Sequence, residues 1–319
     1  MLINKFRLAK YEIDIAAGEE GWVLPPYKGS TLRGGFGNAF QRIACAQRHN
    51  KCIACLLKAS CPYAYIFETS PPPGAKALRN YEAIPRPFII EPPLETKTHY
   101  APGEKLTFNL ILIGKAIEFL PYFIVSFKEL GKLGIGKGRK PFELQEIRAV
   151  HPLKNECEVI YTGPDYLIKP VKLEITGEEI LAQSPAAARQ VKLNFLTMTR
   201  LKFADEFVER IEFHILIRNL LRRISSLAYF HHGWEVAADF NGLIERAADI
   251  EILSDKTRWV DWERYSSRQD NKINLGGVAG EVTYQGDLTE FMPLLLLGQF
   301  THVGKAAVFG MGGYEVRIN

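Results

Sequence analysis

The feature that most constrains this chain is an order of parts that occurs twice. From Pro121 the sequence runs PYFIVSFKEL, then GKLGIGKGRK, then FELQEIRAV: an apolar stretch of helical length, a basic glycine loop and an alternating strand. From Glu290 to Asn319 it runs through FMPLLLLGQF and THVGKAAVFGMGG to the short closing strand YEV. Aligning Gly131-Lys132 with Gly304-Lys305 brings Phe142–Leu144 and Tyr314–Val316 nearly into register. Glycines 304, 310, 312 and 313 strip side chains from a loop that either meets a ligand closely or turns tightly on itself. Both readings are open at this level. Under this alignment His302, at the entry to the second loop, has Glu129 or Leu130 as its counterpart.

The rest of the chain extends the duplication. Phe6–Ala16 alternates as a strand, and Ser30 is placed to cap a helix through TLRGGFGNAFQRIAC. Gly34, Gly35 and Gly37 each cost that helix about 1 kcal/mol relative to alanine, which points to close approach by a packed neighbour or a ligand. Tyr63–Glu68, Pro85–Pro93 and Lys105–Ile113 read as strands, and Pro121–Leu130 as a helix. In the second half Gln190–Thr199 is a strand. Ala204–Phe230 is an amphipathic helix with Phe213, Ile217, Leu220, Ile224 and Leu227 on its apolar face, and Lys256–Tyr284 is a hairpin. Arg210, His214, Arg218 and Arg222 form an i, i+4 row on that helix, whose ordinary meaning is a solvated face. Each half runs strand, helix, strands, helix, glycine loop, strand. This is the βαββαβ order, and the expected class is α+β with two tandem ferredoxin-like (RRM-like) domains, 1–155 and 156–319. The boundary is expected between His151 and Ala188.

A length of 319 residues accommodates two such cores, and 47% hydrophobic with 24% charged residues is the composition of a globular protein. The net charge of +4 permits an anionic partner without requiring one. No apolar run approaches the roughly 18 residues of a membrane span, and the N-terminus lacks the apolar core of a secretory signal, so a cytoplasmic protein is expected. Four of the five cysteines then carry the densest chemical signal. Cys45, Cys52, Cys55 and Cys61 stand as C-x6-C-x2-C-x5-C, inserted in the first domain, and suggest a structural metal site rather than a disulfide framework. A single C-x2-C knuckle and the following Pro62 favour a [4Fe–4S] cluster slightly over zinc.

Two ferredoxin-like repeats closed by basic glycine loops resemble the RAMP superfamily of CRISPR-associated proteins. The segments DWERYSSRQDNKINLGGVAGEVTYQG (261–286) and LLLLGQFTHVGKAAVFGMGGYEV (294–316) resemble the precursor-RNA processing endoribonucleases within it. The resemblance implies an enzyme that binds CRISPR repeat RNA, with other CRISPR effector proteins as a second class of partner and no membrane. It implies cleavage without a catalytic metal, by ribose 2′-hydroxyl attack; a non-catalytic subunit that binds guide RNA is the alternative. The cleavage candidates are His302 and Lys305 at the second glycine loop, and His49, because family members place a histidine just after the first helix. The RNA-binding candidates are Arg264, Tyr265, Arg268, Gln269 and Lys272 on the hairpin, Gly304, Gly310 and Gly312 in the loop, and Lys28, Arg33, Lys137 and Arg139 in the first half. His231 and His232, at a helix end, are read as caps for carbonyl groups.

Overall fold

The computed structural model describes residues 3–47, 52–68, 84–163, 167–266 and 271–318, with 264–266 and 271–273 described by backbone alone. Two compact units emerge: Arg7–Ile175 with Tyr229–Gly233, here the N-terminal unit, and Met1–Phe6 with Thr176–Ala228 and Trp234–Asn319, the C-terminal unit.

The N-terminal unit contains β1 (Arg7–Ala17), β2 (Trp22–Val23), α1 (Gly29–Ala44), α2 (Pro62–Phe67), β3 (Phe88–Glu91), β4 (His99–Tyr100), β5 (Lys105–Ile113), α3 (Leu120–Leu133), β6 (Phe142–His151), β7 (Glu156–Thr162) and β8 (Glu174–Thr176). Its main sheet is ordered β3-β5-β1-β6-β7, each of these pairs antiparallel, with β8 also on β1. Because β7 and β8 pair into this sheet, the division falls after Ile175 and not after Asn155. α1 lies against α3, and the aromatic rings of Phe36 and Phe127 stack at 4.4 Å between centroids. The approach needs Gly35, where a Cβ would press into the Leu130 side chain, so packing accounts for this glycine.

Two expectations for this unit fail. Tyr63–Glu68 is helical: Pro62 pre-sets the first turn, and Tyr63 and Phe67, one turn apart, stack on each other at 5.2 Å. Ser30 does not cap α1, which starts two residues earlier than that cap would place it, at Gly29, with Lys28 at its N-cap and no side-chain cap bond.

The C-terminal unit contains α4 (Gly177–Ala182), β9 (Gln190–Thr199), β10 (Lys202–Phe203), β11 (Glu206–Phe207), α5 (Phe213–His232, its last turn counted with the other unit), α6 (Phe240–Ala247), β12 (Glu251–Val260), β13 (Glu263–Ser266), β14 (Asn271–Asn274), β15 (Gly277–Gln285), α7 (Met292–Thr301) and β16 (Tyr314–Ile318). Its sheet is ordered β12-β15-β9-β16, again fully antiparallel. The mixed α+β architecture therefore carries one strand order twice: β3-β5-β1-β6 and β12-β15-β9-β16 occupy equivalent places. β9 alternates Val191, Leu193 and Phe195 inward, and α5 buries Leu216, Ile217, Leu220, Leu221, Ile224 and Leu227. Each fully buried aliphatic side chain of this kind contributes about 2 kcal/mol. The helix begins at Phe213 and not at Ala204, because 202–207 fold into a small hairpin. Among the described residues no helix is long and apolar enough to cross a membrane.

Candidate functional site

A group of cations lies in the C-terminal unit, where the end of β9, the β10–β11 hairpin, α5 and the second glycine loop meet. The hairpin turns on Ala204 and Asp205, both at positive φ (49° and 66°), the backbone of a two-residue primed turn. This turn leaves Phe203 and Phe207 more than a third exposed. Cations cover both rings. The Arg200 guanidinium stands 4.1 Å from the Phe207 centroid, the Lys202 ammonium 5.6 Å from the same ring, and Arg218 5.7 Å from Phe203. His214 meets Phe203 edge-on at 5.5 Å, with its Nδ1 3.5 Å from the Glu212 carboxylate.

Lys305 joins this group through the glycine loop, its amide donating to the Arg200 carbonyl. Partial burial, then the charges of Arg222 and Lys202, hold its ammonium below the usual lysine value. Burial likewise lowers Arg200, whose Nη1 donates to the Asn274 carbonyl at 2.8 Å. Among the described residues no ion pair joins Lys202, Arg218 or Lys305 to an acid, while Arg210, which precedes the start of α5 and so falls outside the helical row expected of it, lies 3.9 Å from Asp255. Beneath the surface Arg223 is buried and donates from Nε to the Thr301 carbonyl at the end of α7. Its Nη2 has no hydrogen-bond partner, and burial depresses its pKa to about 10.

The glycine loop itself is tied inward. His302 is 3% exposed, and its Nδ1–H donates to the Met311 carbonyl at 2.9 Å. The amides of Val303, Lys305, Gly310, Gly312 and Gly313 all donate to protein oxygens, those of Gly312 and Gly313 to Met198 and Thr197 of β9. At Gly312 (φ 72°) a Cβ would fall inside the Val303 carbonyl, and at Gly304 (φ 83°) inside that of Arg200. Gly304 and Gly312 are therefore packing glycines. The amides of Gly310 and Gly312 are already engaged by protein oxygens.

The other candidates separate into distinct groups. Lys28 is fully buried; its ammonium donates to the carbonyls of Pro26 and Glu95 and faces Tyr100, and burial lowers its pKa, so it offers nothing to RNA. Arg33 lies over the Phe67 ring at 5.3 Å. Lys137 and Arg139 are exposed in the first glycine loop. Arg264, Tyr265 and Lys272 belong to the β13–β14 hairpin, and Arg268, Gln269 and His49 lie outside the described residues. His231 bonds the Tyr65 hydroxyl and the Pro85 carbonyl, and His232 the backbone of Arg7.

Arg200, Lys202, Phe203 and Phe207 went unnoticed in the sequence. Their turn, Ala-Asp, lacks the Asn-Gly signal of a primed hairpin. Arg218 and Arg222 were visible but read as an ordinary solvated row, because nothing in the sequence places the hairpin and the glycine loop beside them.

Residues 6–173 match the AF_1859_N family model, an N-terminal domain, and residues 193–314 match the model of the CRISPR-associated endoribonuclease Cas6. An uncharacterized protein of Archaeoglobus fulgidus is 23% identical over 299 residues, covering 92% of this chain and 93% of its own. Among solved structures, a Cas6 product complex aligns at a TM-score of 0.59 and 16% identity, over 99% of this chain and 100% of that one. Cas6 of Thermus thermophilus aligns at 0.56 and 15%, over 98% and 99%. A partial Cas6-RT-Cas1–Cas2 complex aligns at 0.59 and 13%, over 100% of this chain and 47% of that one. At these identities the solved structures share the fold.

Proposed function

Because the chain belongs to the CRISPR-associated endoribonucleases of the RAMP type, with its N-terminal half in the AF_1859_N domain family, we propose that it processes precursor CRISPR transcripts by cutting within their repeats. The observation that carries the reading is the basic face of the C-terminal unit. Lys202, Arg218, Arg222 and Lys305 offer charge to phosphates, while Phe203 and Phe207, each under a cation, offer rings to bases. The strand order shared by the two sheets supports two tandem ferredoxin-like domains. Repeat RNA is the proposed partner, with other CRISPR proteins as a second, by analogy with the complexes named above.

In the proposed reaction the ribose 2′-oxygen attacks the adjacent phosphorus and the bond to the 5′-oxygen breaks, leaving a 2′,3′-cyclic phosphate and a 5′-hydroxyl. One group takes the 2′-proton and another supplies a proton to the leaving oxygen. Cations stabilise the negative charge that builds on the phosphorane, a term worth about 3 kcal/mol per well-placed donor. His49 is the proposed proton-transfer residue, from its place after the first helix. His214 is the histidine on the basic face, and His302, buried and bonded to Met311, is the scaffold of the loop.

The test is incubation with labelled repeat RNA in EDTA, beside RNA carrying a single 2′-deoxy at the cut. Cleavage of the first and survival of the second is the expected result. Intact RNA bound tightly in both arms would make the protein a guide-binding subunit instead. His49→Ala should slow cleavage at least about a hundredfold; if neither it nor His214→Ala slows it tenfold, the proton-transfer assignment fails.

A further inference from the structure

The four cysteines that surround His49 in the N-terminal unit transfer no proton in that reaction, yet the described side chains of their segment are arranged in an unusual sense. Between Cys45 and Cys61, the described residues that are partly sheltered are Cys45, Cys52, Cys55, Lys58 and Cys61. Every other one is exposed, including Ile53, Leu57 and a fully exposed Leu56. An ordinary excursion of this length turns its leucines in and its polar groups out. Here the described apolar side chains are exposed and the four cysteines partly sheltered, so hydrophobic burial does not organise these residues.

Its frame is nonetheless defined at both ends. Cys45 leaves α1 as its C-cap, with its amide on the Gln41 carbonyl. Cys61 enters α2 as its N-cap, its carbonyl accepting from the Tyr65 amide at 3.0 Å. α1 and α2 are locked together through Phe36, Phe40 and Phe67. Cys52 and Cys55 flank a single 3-10 turn, the Cys55 amide donating to the Cys52 carbonyl at 3.3 Å. That is the two-ligand turn of thiolate metal sites. All four thiols are free. Among the described residues no three such groups are already spaced to share one ion.

We propose that Cys45, Cys52, Cys55 and Cys61 bind a thiophilic metal centre, one Zn²⁺ or one [4Fe–4S] cluster, which supplies the interior that this segment lacks. With four protein thiolates as ligands no coordination position is left open, and the role is to clamp the end of α1 to the start of α2.

Metal and sulfide analysis of the full chain, purified without oxygen, is the first test. One zinc per chain, or four irons with four sulfides and broad visible absorption, supports the proposal and names the centre. The second test adds Co²⁺ to chelator-stripped protein. A thiolate-to-cobalt charge-transfer band that saturates near one equivalent is expected. Cys52→Ser and Cys61→Ser should each lose the bound metal and lower the unfolding midpoint by roughly 5–10 °C, while Cys157→Ser, whose thiol is exposed on β7, should keep both. Less than about one metal in five chains together with no cobalt band overturns the proposal, as does full metal retention in both serine variants. Because the cobalt titration uses the natural sequence, the proposal stays testable even if a serine variant does not fold.

Discussion

The first glycine loop leaves α3 through Gly134 (φ 77°, ψ 162°), and the second leaves α7 through His302 (φ 57°, ψ 174°). The two residues occupy the same unusual backbone conformation at the same point of a duplicated unit. His302 therefore corresponds to Gly134, and not to Glu129 or Leu130 as the glycine-lysine alignment placed it. The first loop meets the backbone demand with glycine, because a Cβ there would fall inside the Arg139 carbonyl. The second meets it with a histidine held in place by burial and by Met311, although this region of φ and ψ costs most side chains about 1–3 kcal/mol. A histidine at a glycine loop looks like chemistry in a sequence; its opposite number in the first copy is a glycine that meets the same backbone demand.

This equivalence can be broken by substitution. Gly134→Ala and Gly312→Ala both force a Cβ into a carbonyl at positive φ, and each should cost about 3 kcal/mol in urea unfolding. His302→Ala removes a buried hydrogen bond and leaves a void, for a loss of about 2–3 kcal/mol. His302→Gly should recover about 1 kcal/mol of that by relieving the backbone, and both variants should cut RNA once folded. A folded His302→Gly that cleaves more than tenfold slower would return the histidine to the chemistry and end the equivalence.

The loops should differ more in binding than in stability. Lys305→Ala and Arg218→Ala should each weaken RNA binding by about five- to tenfold and flatten the salt dependence by about one unit of slope, with unfolding unchanged. Lys137→Ala and Arg139→Ala, the exposed cations of the first loop, should change affinity less than about twofold, since they lack the neighbouring aromatic hairpin. Equal losses from the two loops would mean that both copies hold RNA.

Strands β1, β5, β6 and β9 were legible because each combines alternation with β-branched or aromatic residues, and α3 and α7 because an apolar run ends at glycine or histidine. What stayed hidden depends on tertiary placement. The segment from Tyr63 to Glu68 has strand-like composition, and the preceding Pro62, the Tyr63–Phe67 stack and the contact of Phe67 with α1 go with a helix over Pro62–Phe67 instead. Lys28 sits in a loop sequence that looks exposed, yet two carbonyls and a tyrosine ring bury it. The basic face is assembled from residues at 200–207, 218–222 and 305. No window of sequence contains it.

Arg223 gives that face a property that its surface residues cannot supply. Salt screens exposed charges over about 8 Å at physiological ionic strength, but a guanidinium enclosed by protein is screened far less. It is braced on the Thr301 carbonyl, and its Nη2 has no hydrogen-bond partner, so its charge adds to the field of the face from below the surface. Approach of a polyanion should therefore keep a residual attraction at ionic strengths that silence the surface lysines, and Arg223→Met should abolish that remainder.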